Sequence, residues 1–364
     1  MSSLLLFLLL IFPVVHGSEA SLPVKFGGFI DTYYAYDFNA PKDHEREFTT
    51  QPVRHNEFNI NLAYVDAVIK QEKTRGRLAL QFGNSVIKNT VGEPKVGATS
   101  GPQDAKVFQE AYVGKSLGEG TWIDIGIFLG NIGAESWISK ENWTYSRALN
   151  LDYVPYYSAG VRLEHQIDRT QSFQLQILNG WQNMSENNEA KAIGIQYKKS
   201  LTSKLTFTYN NFLGDEKIVP TPETGKFNSR FRGYHNFIVQ WLATDEWNFL
   251  GAMDFGHQAQ QNNSGVVGWG AATFTVRRIL NSKEAMALRL EYYNDPHQAN
   301  VITKTRNGFQ VAGASINFDH KLDKNALWRT ELRGFNSRDE IYPHYTKYRK
   351  HLDAFIATSL SLWF

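Results

Sequence analysis

Arg289 and Glu291 stand two residues apart, and Met286, Leu288, Leu290 and Tyr292 alternate with them. Arg329, Glu331 and Arg333 repeat the spacing, and Arg162 and Glu164 repeat it again beside Val161 and Leu163. Successive side chains of a β-strand point to opposite faces, so each group shares one face while the apolar residues share the other. Asp31 and Glu110 take the same phase as these charges. Opposite charges in this pattern suit two kinds of chemistry. They can pair along a wall and hold it, or they can form a charged surface that sorts ions and polar solutes. The residues alone leave both readings open. Catalytic arrangements are not evident: the ten histidines are scattered, most of them in loops, as His344 and His351 are. Neither a Gly-x-Ser-x-Gly elbow nor a His-Glu-x-x-His zinc helix occurs. The absence of cysteine excludes disulfide scaffolds, thiolate metal sites and cysteine nucleophiles. Asp37, Asp43 and Glu45 are spaced too loosely for a calcium loop, so no metal or cofactor is expected.

Elements that position such charges must be strands with one apolar face. Ser172–Ile177 sets Phe173, Leu175 and Ile177 against Gln174 and Gln176; Lys204–Tyr209 sets Leu205, Phe207 and Tyr209 against threonines. Leu78, Leu80 and Phe82 oppose Arg77, Ala79 and Gln81. From Lys25 onward no window carries an apolar stripe at helical spacing. The alternation predicts about sixteen strands, near 25–36, 56–70, 75–87, 106–117, 121–133, 156–167, 171–182, 190–200, 203–213, 231–243, 246–258, 266–279, 283–295, 306–319, 324–336 and 352–364. Every second connection is short and polar; the others, such as 37–55, 88–105 and 134–155, are long. That asymmetry, and the closing Ser359-Leu-Ser-Leu-Trp-Phe364, describe an all-β chain forming a single transmembrane antiparallel β-barrel. Short turns would face the periplasm and longer loops the exterior.

Composition fits. Mean hydropathy is −0.39 and 42% of residues are apolar, which a barrel tolerates because each strand hides half its residues from lipid. Aromatic content of 14% suits interfacial girdles, and a net charge of +2 gives no nucleic-acid footprint. Residues 4–15 form an apolar run too short to cross a bilayer as a helix. Small residues follow, so residues 1–20 are expected to be a secretory signal peptide and 21–364 the barrel, with Gly17 an alternative cleavage point. The expected location is the outer membrane.

The opening strand Gly27-Gly-Phe-Ile-Asp-Thr-Tyr-Tyr-Ala-Tyr36 with Asp37-Phe-Asn39, together with Phe58–Leu62, Glu110-Ala-Tyr112, Asn179–Gln182 and Leu362-Trp-Phe364, resembles the OmpL-like family of β-barrel porins. The resemblance spans nearly the whole mature chain and implies a pore. Its partners would be outer-membrane lipids and small hydrophilic solutes or ions, with a homotrimer by analogy to other sixteen-stranded porins. In such porins the third long loop often folds inward, and here it carries Glu135, Glu141, Asp152, Lys140 and Arg147. Facing Arg289, Arg329 and Arg333, these acids would set a transverse field across a constriction. Trp137, Trp143, Trp181 and Tyr156 could stack on sugar rings, although loop packing or an interfacial girdle accounts for them more simply. A receptor, an adhesin or a membrane-embedded hydrolase is the alternative class.

Overall fold

A computed structural model describes residues 23–216, 230–260, 265–346 and 348–364. The signal peptide expected over residues 1–20 lies outside them. The barrel strands are β1 (Val24–Asp37), β2 (Phe58–Lys70), β3 (Thr74–Phe82), β4 (Phe108–Gly118), β5 (Thr121–Leu129), β6 (Tyr157–Gln166), β7 (Gln171–Leu178) and β8 (Ala192–Ser200). They continue with β9 (Leu205–Asp215), β10 (Phe231–Trp241), β11 (Trp247–Ala259), β12 (Val266–Ile279), β13 (Glu284–Asp295), β14 (Phe309–Asp323), β15 (Ala326–Ser337) and β16 (Leu352–Trp363). Each pairs antiparallel with its neighbours, and β1 closes on β16 from Phe29 opposite Trp363 to Asp37 opposite Phe355. The sixteen-stranded barrel read from the alternation is therefore the fold. Closure leaves no strand edge unpaired, which lipid requires because it offers no hydrogen bonds.

One rim carries the short turns 71–73, 119–120, 167–170, 201–204, 242–246, 280–283 and 324–325. The other carries the long connections, and one of these holds a two-residue pairing of Tyr342–Pro343 with Arg349–Lys350. The final strand has the phase its sequence implies. Ile356, Leu360, Leu362 and Phe364 are exposed outward, while Asp353, Phe355, Ala357, Ser359 and Ser361 are buried inward.

Two expectations about local structure are corrected. The strand read over 75–87 stops at Phe82. Gly83 takes φ +134°, where a Cβ would lie 2.4 Å from the Asn61 carbonyl oxygen. The chain then turns into α1 (Asn84–Thr90), whose Ser85 hydroxyl donates to that carbonyl at 2.8 Å. Helices were not read from the sequence at all, yet α2 (Pro102–Ala105) and α3 (Leu149–Asp152) also occur in long connections. Each is too short to print a helical stripe on the sequence.

Leu290 lies mid-strand on the outer face and is half exposed. Leu290→Lys should cost roughly 2–4 kcal/mol of barrel stability, the penalty for a cation near the bilayer midplane. Urea titration of heat-modifiable gel migration in liposomes checks this, and an unshifted midpoint would mean that the strand phase is wrong.

Candidate functional site: a segment laced across the lumen

The connection between β5 and β6, residues 130–156, lies inside the barrel rather than above it. Its entry touches β8 and β10, where Gln196 donates to the Asn131 carbonyl at 3.2 Å and the Gly133 N–H donates to Asn236 at 3.2 Å. It then crosses to β1 and α1. The Ser139 hydroxyl donates to Asp31 at 2.8 Å and the Trp137 indole donates to Ser85 at 3.2 Å. Its return runs along β11 to β15, and there the charges singled out in the sequence converge on it.

Arg289 donates to Thr144 Oγ1 at 2.6 Å, the Ser146 carbonyl at 2.7 Å, Ser146 Oγ at 3.0 Å and Glu331 at 3.1 Å. Arg333 donates to both carboxylate oxygens of Glu291 at 2.9 Å, to Ser146 Oγ at 3.0 Å and to the Arg147 carbonyl at 2.7 Å. Arg329 reaches the Ser139 and Asn142 carbonyls, each at 2.5 Å, and Asp319 at 3.0 Å. The carboxylates complement this by accepting backbone N–H groups: Glu331 from Ser146 at 2.6 Å and Glu291 from Leu149 at 2.7 Å. Elsewhere on the wall Asn317 accepts from the Tyr145 N–H at 3.0 Å, and Asp254 accepts from Asn150 Nδ2 at 2.6 Å.

A strand separates Glu291 on β13 from Arg333 on β15. In the intervening strand Gly313 stands opposite Glu291 and Ser315 stands between Arg289 and Arg333. A Cβ on Gly313 would lie 2.8 Å from the Glu291 Cγ, so the missing side chain gives Glu291 room to lean across β14. Arg289, Arg329, Arg333 and Glu331 are at most 2% exposed and Glu291 is 6%. These five side chains meet loop backbone and one another, so they hold the segment rather than present a face to open water.

The loop acids divide. Glu135 accepts from the Ala148 N–H at 2.8 Å and lies 3.5 Å from Arg289, inside the lacing. Asp152 is held on the long-loop side by the hydroxyls of Thr50 and Tyr156. Glu141 is about half exposed and pairs, among the described residues, with neighbouring Lys140 at 3.7 Å. Arg147 stacks on Tyr156 at 3.9 Å. Trp137 is buried edge-on to Tyr156 at 5.2 Å, Trp143 packs beside Ile238 and Leu250, and Trp181 packs edge-on to Phe212 at 4.9 Å. Asp37 is committed to Arg46 at 2.9 Å, and Glu45 to Lys88 at 2.9 Å.

Arg162 and Glu164 sit elsewhere, toward the short-turn end of β6. Asp124, fully buried, accepts from Arg162 at 2.8 Å and Arg75 at 2.7 Å, and Arg75 also reaches Glu164 at 2.7 Å. The Glu164 side chain keeps about a third of its surface in water. Asp124, Arg75, Asp254, Asn317, Thr144 and Ser146 were not singled out from the sequence. Alternation puts Asp124 and Arg75 on the inner face, but nothing distinguishes a loop Ser or Thr that will meet an arginine from one that meets solvent. Cavities flank the crossing segment. One of about 510 Å³ on the long-loop side is lined by Thr50, Asp152, Tyr153 and Trp181. Another of about 540 Å³ opens on the short-turn side.

A closed sixteen-stranded antiparallel barrel, apolar outside and charged inside, belongs to the class of outer-membrane β-barrels. Within that class the chain belongs to the family described as "Putative beta-barrel porin-2, OmpL-like", whose model matches residues 23–362. Similar solved structures include an anion-selective porin from Comamonas acidovorans, at 10% identity over 94% of this chain and 99% of that one, with TM-score 0.58. The outer membrane channel DcaP of Acinetobacter baumannii matches at 10% identity over 94% and 97%, with TM-score 0.60. A trimer form of OmpT from Vibrio cholerae matches at 11% identity over 94% and 99%, with TM-score 0.59. At such identities the likeness is one of fold. No curated protein matches the chain.

Two predictions follow from the lacing. Glu291→Ala leaves Arg333 and Arg289 buried without their shared carboxylate, which costs about 3–5 kcal/mol in comparable pairs. The segment 130–156 should then undock, and limited proteolysis within it should speed up strongly while the barrel stays heat-modifiable. Asp152 supplies the second. Burial pushes its carboxyl up from 3.8 to about 6, against the pull of Arg333 and Arg147. The docked state therefore binds its proton more tightly than the undocked state does, and docking is strongest below 3.8 and weakens as pH rises through about 6. Proteolysis of the segment should accelerate across that window, and Asp152→Asn should reduce the dependence by its own share.

Proposed function

We propose that the chain is a passive, non-enzymatic outer-membrane channel for small hydrophilic solutes or ions, with its bore set by the laced segment 130–156. The observation that carries this reading is that segment. It crosses the lumen, tied at Asn131 and Gly133 to β8 and β10 and at Ser139 to β1 on the far wall, yet cavities remain on both of its sides. A barrel wall needs no such strap for its own closure, whereas a diffusion pore needs a constriction of defined size. Arg162, Glu164 and Arg75 would line the water-filled part of the lumen and act on solutes directly, because charge rings and pairs in a confined aqueous path select by sign. Arg289, Glu291, Arg329, Glu331, Arg333 and Glu135 would act through the shape of the constriction they hold. Asp152 would do so from the long-loop side and Glu141 from the short-turn side.

Family membership supports this reading, and so does the fold shared with the anion-selective porin from Comamonas acidovorans and the outer membrane channel DcaP. A homotrimer is part of the proposal, in line with the trimer form of the Vibrio relative. Residues 1–20 would serve as the export signal, removed on translocation. Purified protein added to planar lipid bilayers should give stepwise, voltage-independent currents at low potential. A correctly folded, heat-modifiable barrel that stays silent would overturn the channel reading in favour of a receptor or a membrane-embedded hydrolase.

A further inference from the structure

The cavity at the short-turn end has an unbalanced charge. Its lining includes six cations, Lys140, Arg277, Lys283, Lys321, Lys324 and Arg329, against three carboxylates, Glu141, Glu284 and Asp319. The carboxylates are already engaged. Asp319 serves Arg329 at 2.9 Å and Arg277 at 3.7 Å, and also accepts from Asn317 at 2.6 Å. Glu284 is bonded to Asn281 at 2.8 Å and to the His320 ring at 3.2 Å. Glu141 pairs with Lys140 at 3.7 Å. Among the described residues, no carboxylate comes within ion-pair distance of Lys283, Lys321 or Lys324.

Arg277 makes the case sharper. Its side chain keeps only 24% of its surface exposed, and its Nε hydrogen has no acceptor among the described residues. A guanidinium that is largely withdrawn from water, with half of one carboxylate and an idle donor, carries a desolvation cost that an incoming anion would relieve. Asp319, Lys321 and Leu327 occupy inward positions of β14 and β15, so the cluster faces the lumen and not lipid. The Lys140 ammonium lies 5.4 Å from the Trp363 ring, which fixes the tip of the crossing segment against the opposite rim of the cavity. At about 540 Å³ the space is of the size that holds small-molecule ligands.

We propose that this cavity is a binding site for small multivalent oxyanions, a phosphate or polycarboxylate group held between Arg277 and the lysines of the short turns. The site deepens the channel reading but does not require conduction. It would draw anionic solutes to the short-turn mouth, where fixed positive charge in a confined space raises the local anion concentration.

The test uses the full mature chain refolded in detergent, with inorganic pyrophosphate and citrate as probes in isothermal titration calorimetry at low salt. Both should bind, and acetate should bind far more weakly. Lys321→Gln/Lys324→Gln, at the exposed rim, should weaken pyrophosphate at least about tenfold, a loss near 1.4 kcal/mol. Arg277→Gln should weaken it further, with unchanged heat-modifiable migration showing that the barrel is intact. Absence of pyrophosphate binding to the wild type, or equal binding by the rim variant, would overturn the site. In bilayers, pyrophosphate added on the short-turn side should reduce current more than the same addition opposite. A silent barrel that still binds pyrophosphate in the calorimeter would refute conduction and leave the anion site standing, whereas a conducting barrel that does not bind would do the reverse.

Discussion

Hydrocarbon accepts neither an unpaired backbone group nor a bare charge, and the rest of the molecule follows from that constraint. It closes β1 on β16, it sends Leu288, Leu290 and Tyr292 outward, and it forces Arg289 and Glu291 inward. The same rule, applied to every strand, gathers buried arginines in the lumen whose charge the wall carboxylates pair but whose donors they do not all fill. Arg329 and Arg333 both need acceptors that neighbouring strands supply only in part. Water could satisfy them in an empty pore. Here the crossing segment does so instead, with the carbonyls of Ser139 and Asn142 for Arg329 and that of Arg147 for Arg333.

Burial of these groups changes what they are good for. A fully buried ion pair contributes little net stability, because desolvation offsets most of the attraction, but losing one partner is severe. The network around Ser146 therefore acts less as glue than as a specification. Only one path of the segment pairs Glu331 with the Ser146 N–H, Glu291 with the Leu149 N–H and three guanidiniums with the carbonyls of Ser139, Asn142, Ser146 and Arg147. Arginine suits this role because its planar fork can reach a carboxylate and a carbonyl at once, as Arg333 does.

The strands were legible because a period of two survives any tertiary context that has lipid on one side. The inward phase of Arg162, Arg289 and Arg329 came from that alone. What the sequence could not say was which inward charges would face water. Arg162 and Arg289 look alike as text, each two residues from a glutamate. They diverge because a loop more than a hundred residues upstream of Arg289 happens to arrive there. Gly83 illustrates another limit: its neighbours Phe82 and Val86 read as one strand, and the φ of +134° that ends it leaves no compositional trace beyond the glycine itself. The loop helices were hidden for a simpler reason, since α1 to α3 are too short to repeat a pattern.

The lacing also explains a choice at a position that carries no charge. Glu291 and Arg333 lie on strands that do not touch, so their bidentate pair has to pass over β14. Any side chain at Gly313 would enter that path, with its Cβ only 2.8 Å from the Glu291 Cγ, and Ser315 is the next smallest solution at the neighbouring row. The small residues of β14 are thus part of the same device as the large charged ones flanking it. A strand that looks weakly specified, with glycine, alanine and serine along its inner and outer faces, is constrained by what must lean across it. This is why the segment's anchor falls on β13 to β15: three adjacent strands supply both signs of charge with a shallow row between them. A loop docked there has its donors and acceptors matched along one continuous surface.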